Sequence, residues 1–290
     1  MAVPLSHTYR VQKSAPRTTT SLGVDITRIV AAFPRKVYLQ WVIRNPQEGV
    51  TYLVQVYRSG SSEGPWEHVG VDLADAFNYV DVNFESAHDR TTASLFSMHR
   101  SVYYKVVLQP STGTAVETVK KLEGGLDRRR KGIHRKLQRD AAIYLKKVMG
   151  TEVAIFKRRR WGAKCTCLSS TGQSTRSHCS TCFGTGIVDG YWNPVYGYGQ
   201  RMVAPVQVQT GPQGQIESHR LQAIILNIPQ VEPDDILVFL RDNKRYIVES
   251  STPTQIHFVD VHQELVLSEI SASSREYGLK ADQWSDPPWF

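Results

Sequence analysis

No stretch of this sequence approaches the roughly 18 consecutive apolar residues that cross a bilayer, so no membrane-spanning helix is expected. Residues 1–27 hold no apolar core of the signal-peptide kind, and export by that route is not expected either. Cysteine is scarce: the 290 residues contain four, all of them inside "KCTCLSSTGQSTRSHCSTCFGTG" at 164–186. Also missing are the marks of catalysis. Asp234-Asp235 has no histidine at a telling distance, and His257 and His262 sit in an alternating strand pattern that suits structural histidines. "GYGQR" and "GPQGQ" lack the order of a phosphate-cradling glycine loop. The expectation is a protein that is not an enzyme and takes no small-molecule substrate.

What is present is enough apolar material for real cores, at 41% of residues, in a chain long enough for two or three domains. The formal net charge of +8 is concentrated: residues 121–160 hold fourteen Lys and Arg against four Asp and Glu, leaving the rest slightly acidic. A localised electropositive surface is expected, not a generally basic protein.

Residues 34–120 read as strands between turns. "KVYLQWVI" at 36–43 alternates, with Val37, Leu39 and Trp41 on one face, and "TYLVQVYRS", "FNYVDVNF" and "VYYKVVLQP" follow. Strands of this spacing with no helical period predict an antiparallel sandwich, and their order resembles a fibronectin type III-like domain. Trp41, Tyr52, Trp66 and Tyr104 are expected in its core, ahead of an exposed carbohydrate-binding stripe. The period then changes. Leu126, Ile133, Leu137, Ala141, Tyr144 and Val148 recur at helical spacing, which predicts one long amphipathic helix with that stripe buried. Arg128, Lys131, Arg135, Arg139 and Lys146 are placed on its outer, basic face, and Gly150 ends it. "KRRRW" at 157–161 is expected to extend the basic patch. No aromatics interleave with these charges for stacking on bases, so a solvated face or an acidic protein partner leads over nucleic-acid readout.

Residues 200–272 return to short strands, including a hairpin turned at Asp242-Asn243, and predict a small β-barrel or sandwich. The tail from 273 has no period, and its Trp284, Trp289 and Phe290 are candidate anchors on a neighbouring protein. The whole is expected to be mainly β with one long helix. It divides into an N-terminal arm (1–33), a sandwich (34–120), a basic helix (121–160), a cysteine segment (161–199), a barrel (200–272) and an extended tail (273–290).

The cysteines are arranged C-x-C, eleven residues, then C-x-x-C followed by "FGTG". The second pair, curling back through glycine, places two sulfurs on one side, where they can share a tetrahedral ion. Cys165, Cys167, Cys179 and Cys182 are the expected ligands of a structural zinc ion, which would supply the folding free energy of a segment poor in apolar residues. Three alternatives stay open. They are disulfides between the thiols, His178 in place of one sulfur, and a redox C-x-x-C pair, although the last lacks the strand-then-helix context of one.

The stretch "WGAKCTC…HCSTCFGTGIVDGYWNPV" at 161–195 resembles a segment of virion structural proteins of tailed bacteriophages, in which a cysteine pair and a C-x-x-C-[FY]-G-T-G run precede a Gly-Tyr/Trp and Pro stretch. "PDDILVFLRDNKRYIVESSTPTQIHFVDVHQELVLSEI" is similar to the small β-barrel of phage head–tail joining proteins. The resemblance implies a neck or head–tail connector protein. It would form a homo-oligomeric ring in the virion around the DNA channel, contact portal, neck or tail proteins, and touch packaged DNA without sequence preference. A tail or baseplate component is the variant within that reading. A zinc-ribbon nucleic-acid-binding protein is the alternative outside it.

Overall fold

The computed structural model describes residues 21–32, 36–82, 84, 101–124, 126–168, 179–202, 207–211, 214–218, 220–256, 259–281, 284 and 287. The chain is mainly β, with antiparallel sheets, one long helix, a closed barrel towards the C-terminus and a central four-cysteine cluster.

The N-terminal half holds two sheets. Strands β1 (Gly23–Ala32), β2 (Lys36–Arg44) and β6 (Asn78–Asp81) form one, in the order 1-2-6. The other is built on β3 (Tyr52–Ser59), with β4 (Glu67–His68), β7 (Tyr103–Pro110) and β8 (Val116–Lys121) in the order 4-3-7-8, while β5 (Leu73–Ala74) also pairs with β3. β1 comes from the region read as an N-terminal arm, so the sheet begins earlier than the 34–120 reading placed it. Side chains of both sheets share one core, in which Trp41, Tyr52 and Tyr104 are fully buried. That removes them from any carbohydrate-binding stripe. Trp66 is half-buried, with the Lys105 ammonium 4.9 Å from its ring centre.

β2 is buried on both faces, which its alternation did not announce. Val37, Leu39 and Trp41 enter the shared core, while Gln40 grips the loop after the barrel strand that ends at Leu226. The Gln230 N–H donates to Gln40 Oε1 (2.9 Å), and Gln40 Nε2 donates to the Gln230 carbonyl (3.3 Å). Such reciprocal pairing lets a buried amide bridge two regions without leaving a polar group unsatisfied.

The barrel closes in the order 10-13-16-15-14-9 from β9 (Thr151–Phe156), β10 (Val195–Met202), β13 (Arg220–Leu226), β14 (Ile236–Phe239), β15 (Lys244–Ile256) and β16 (Val259–Glu269); β11 (Gln207–Gly211) and β12 (Gly214–Ser218) form a separate hairpin. Val153, Ile155, Ile225, Leu237, Phe239, Val248, Leu265 and Leu267 fill its interior. Ala154, Phe156, Ile236 and Val238 point the other way and are buried against Tyr191, Leu279 and Ala281. Strands covered on both sides read as continuous apolar runs, which is why "VAIF" and "ILVF" show no alternation. The barrel therefore starts at β9, not at residue 200, and the cysteine segment is an insertion between its first two strands. The hairpin turn at Asp242-Asn243 stands as expected, with Asn243 at φ 51°.

Helix α1 (Arg128–Tyr144) is capped by Asp127, whose Oδ1 accepts from the Arg130 N–H (2.8 Å). It runs into a π turn (Leu145–Met149) that ends at Gly150, where the Gly150 N–H donates to the Leu145 carbonyl (2.9 Å). A side chain at Gly150 would collide with that carbonyl. The helix exists as predicted, but its phase does not. Of the expected buried set, Ile133 and Tyr144 are exposed and Leu137 and Ala141 only half-buried, while His134, Gln138, Ala142 and Leu145, each one residue further on, take the fully buried positions. One residue is a rotation of about 100°. Ala142 and Leu145 join the core shared with the N-terminal sheets. The polar members have partners from elsewhere: Gln138 Nε2 donates to the Asp260 carbonyl, and Arg135 makes two hydrogen bonds to buried Glu123 (2.6 and 2.8 Å). His134 Nδ1 lies 3.8 Å from the same carboxylate. Burial opposes the charge of Glu123, yet His134 and Arg135 hold it below the usual carboxylate range.

The predicted basic face is corrected accordingly. Lys131 is buried and Arg135 is turned inward onto Glu123. Lys146 is half-buried, its ammonium 5.7 Å from the Tyr198 ring centre, and Arg139 is exposed. The side chain of Arg128 lies outside the described residues. Ile133, Tyr144 and Val148, expected inside, are exposed.

Candidate metal centre

The insertion between β9 and β10 leaves and re-enters the barrel as two antiparallel arms. Their backbones are tied at the base by Trp192 N–H to the Lys157 carbonyl (2.8 Å) and Arg159 N–H to the Gly190 carbonyl (2.8 Å). Further out, Val188 N–H donates to the Ala163 carbonyl and Cys165 N–H to the Gly186 carbonyl, both at 2.9 Å. The outgoing arm carries Cys165 and Cys167, and the returning arm carries Cys179 and Cys182. The ladder thus delivers both pairs to one place.

There the four thiols converge. Sγ of Cys165 is 3.6 Å from that of Cys179, Sγ of Cys167 is 3.4 Å from that of Cys182, and all four lie within 4.8 Å of one another. A disulfide holds its sulfurs about 2.05 Å apart, and all four cysteines are free thiols. Four sulfurs around one tetrahedral ion, each about 2.3 Å from it, stand roughly 3.8 Å apart. The observed spacing suits a single ion. Cys182 is fully buried, Cys165 and Cys167 are nearly so, and Cys179 is half-buried.

The backbone prepares one of these thiols, Cys179, for the ionised form a metal needs. Cys179 is pulled down to about 6, first by the Cys182 N–H and then by the Thr181 N–H, with the Cys165 thiol adding to them. The turn that presents those amides passes through Phe183 at φ 50° and Gly184 at φ 80°. A side chain at Gly190 would collide with the Cys182 carbonyl, so the return of this arm requires glycine. The Cys165/Cys167 pair, spaced by one residue instead of two, meets the second pair in the same cluster. His178 lies outside the described residues.

The arms do more than carry cysteines. Trp161 and Trp192 pack as a tilted pair at 5.2 Å between ring centres, and Phe77 of the N-terminal half sits 5.6 Å from Trp192. Both tryptophans belong to the core shared with the N-terminal sheets. Phe183 packs edge-on against Tyr191. Fastening the arms through their sulfurs thus also fastens the joint between the two halves.

The basic run at 157–160 is not a free electropositive patch, since its charges are paired within the fold. Lys157 is buried, donating to Asp235 Oδ2 (2.8 Å) with Glu232 at 3.6 Å. Arg158 pairs with Asp234 (2.6 Å) and Arg160 with Glu232 (3.2 Å), and the Arg159 guanidinium lies 4.2 Å from the Trp192 ring centre. The Asp234-Asp235 pair that attracts notice as a catalytic candidate is the counter-charge of this run. Burial raises Asp235, while Lys157 and the N–H groups of Glu232 and Arg158 pull the other way. His262 lies 3.9 Å from Glu264, and His257 is outside the described residues.

Trp284, expected as an anchor on a neighbour, packs on its own chain, edge-on to Tyr196 and Tyr198 at 5.5 and 5.4 Å. Trp289 and Phe290 are outside the described residues. Sequence reasoning missed a cleft of about 550 Å³ where the halves meet, lined in part by Phe77, Asn78, Arg159, Trp192 and Tyr196. Its walls come from segments far apart in the chain, and no local pattern marks it. No protein-family model matches the chain, and no curated protein does.

Proposed function

We propose that the protein is a non-enzymatic structural component of a tailed-phage virion, a neck or head–tail connector protein that forms a ring around the DNA channel and joins portal to tail. The observation that carries this reading is the outward helix. A chain that folds two β regions around a common core leaves Ile133, Tyr144 and Val148 exposed beside basic residues, which is the build of an assembly surface. The resemblance of 161–195 to virion proteins and a fibronectin type III-like strand order at the N-terminus agree with it. Electron microscopy of the purified protein, alone and with the portal and tail proteins of its own virus, is the test. Closed rings of fixed symmetry are expected. A chain that stays monomeric with every such protein and binds DNA tightly, with steep salt dependence, belongs to the nucleic-acid-binding alternative.

The four thiols are proposed to hold one structural zinc ion. Four sulfur donors at tetrahedral spacing, three of them shielded from water, suit zinc and leave no position open for a substrate. When bound, the ion ties the outgoing arm to the returning one. About one zinc per chain is expected by elemental analysis. Because the Cys182 and Thr181 N–H groups depress Cys179 to about 6, protons compete with the metal for that thiolate only in acid, so metal retention should hold at neutral pH and fall as pH is lowered below that value. Cys182→Ser should release the metal and raise the hydrogen exchange of 161–168 and 179–192 while β1–β8 keep their protection. Unchanged exchange and metal content in that variant would remove Cys182 from the ligand set.

A further inference from the structure

We propose that the outer face of α1 and its π turn is a docking surface for an acidic amphipathic helix of a second protein. Apolar side chains of that helix would seat on Ile133, Leu137, Tyr144 and Val148, and its carboxylates would meet Arg129, Lys136 and Lys147.

The exposed stripe keeps helical spacing. Ile133, Leu137 and Tyr144 stand four and seven residues apart on one side of α1, and the π turn adds Val148 and Met149. Tyr144 is 45% exposed, Met149 50% and Val148 66%, while Leu137 is half-buried. A surface helix ordinarily turns such a stripe into its own core. Here the core takes the neighbouring stripe, with its histidine and glutamine, and Ile133, Tyr144, Val148 and Met149 of the apolar one are left exposed around a half-buried Leu137. Aliphatic ridges at three- and four-residue spacing accept the ridges of another helix.

Charge selects the occupant. Arg129, Lys136 and Lys147 are exposed and, among the described residues, have no carboxylate partner. Asp140 is the single acid between Arg128 and Val148. Two copies joined through this same face would set these bases against one another, which is unfavourable. Nucleic acid would answer the charges but not an apolar centre, since phosphates reward cations alone. A helix with leucine-like anchors flanked by carboxylates answers both.

The proposal rests on the assembly reading above, and fluorescence anisotropy tests it apart from that reading. The probe is a labelled synthetic helical peptide with leucines at three- and four-residue spacing flanked by glutamates. The same peptide with lysines for glutamates, a short DNA duplex and anionic phospholipid vesicles are compared. The full-length protein should bind the Leu/Glu peptide, less well at high salt. Val148→Asp, and separately the pair Lys136→Glu/Lys147→Glu, should weaken it at least about tenfold with an unchanged thermal midpoint. Equal binding of the lysine peptide, preference for duplex or vesicles, or no peptide binding overturns the proposal. So does self-association that Val148→Asp abolishes, which would make a second copy the occupant. Rings that assemble normally on their virion partners with Val148→Asp refute the docking face and leave the connector reading standing. Peptide binding by a chain that never assembles does the reverse.

Discussion

The two basic runs of this chain look alike in sequence and end differently. "RRRK" at 128–131 opens α1, and "KRRR" at 157–160 leaves β9. The second is neutralised within the fold by Glu232, Asp234 and Asp235, and its Lys157 is among the more buried cations in the chain. On the helix that the first run opens, Arg129, Lys136 and Lys147 remain in water. A run of positive charge therefore says little about a surface until its counter-charges are located. For "KRRR" the decisive carboxylate is 78 residues away. The electropositive character expected of 121–160 as a whole belongs to one side of one helix.

Removing the counter-charge tests the inward run most severely. Asp235, itself fully buried, accepts from Lys157 Nζ, from the Arg158 N–H (2.9 Å) and from the Glu232 N–H (2.8 Å). Asp235→Ala leaves a buried ammonium and two amides without that acceptor. The expected loss is about 3–5 kcal/mol in urea unfolding. A loss below roughly 1 kcal/mol, the worth of an exposed ion pair, would mean that Lys157 reaches water and that the runs differ less than their burial implies.

The two stripes of the helix give the next contrast. Leu145 is buried in the core shared by both halves, and Leu145→Ala should cost about 2–5 kcal/mol. Tyr144, one residue before it and in the stripe predicted to be buried, should tolerate truncation with little loss. A reversed order in thermal unfolding would restore the phase read from sequence.

That shift of phase shows where sequence was informative and where it was not. Local features were legible: the existence of strand β2, the turn at Asp242-Asn243, the helix and its end at Gly150, and the convergence of Cys179 and Cys182 through a glycine turn. Each depends on residues a few positions apart. Features decided by distant partners were not. The stripe Ile133–Leu137–Tyr144 is the more apolar one, so periodicity alone favours burying it. What buries the next stripe instead is Glu123 waiting for Arg135, Asp260 for Gln138, and the core shared with the N-terminal sheets for Ala142 and Leu145. β9 was missed for a related reason. It is covered on both faces, and its neighbours β10 and β14 lie beyond the cysteine segment.

The outward bases should yield the smallest effect on stability, and that smallness is itself diagnostic. Lys136→Glu changes the charge by two on a helix whose exposed charges are nearly all basic, and it places a carboxylate four residues before Asp140 and three after Ile133. If Lys136 only meets water and neighbouring bases, relief of like-charge repulsion offsets the new Glu–Asp pair, and unfolding should shift by no more than about 0.5 kcal/mol. The same charge reversal at Lys157 would force a carboxylate against Asp235 in a buried setting, and that chain should not fold. A substantial loss with Lys136→Glu would mean that the helix face is engaged within the monomer, and the division between an inward and an outward basic run would no longer hold.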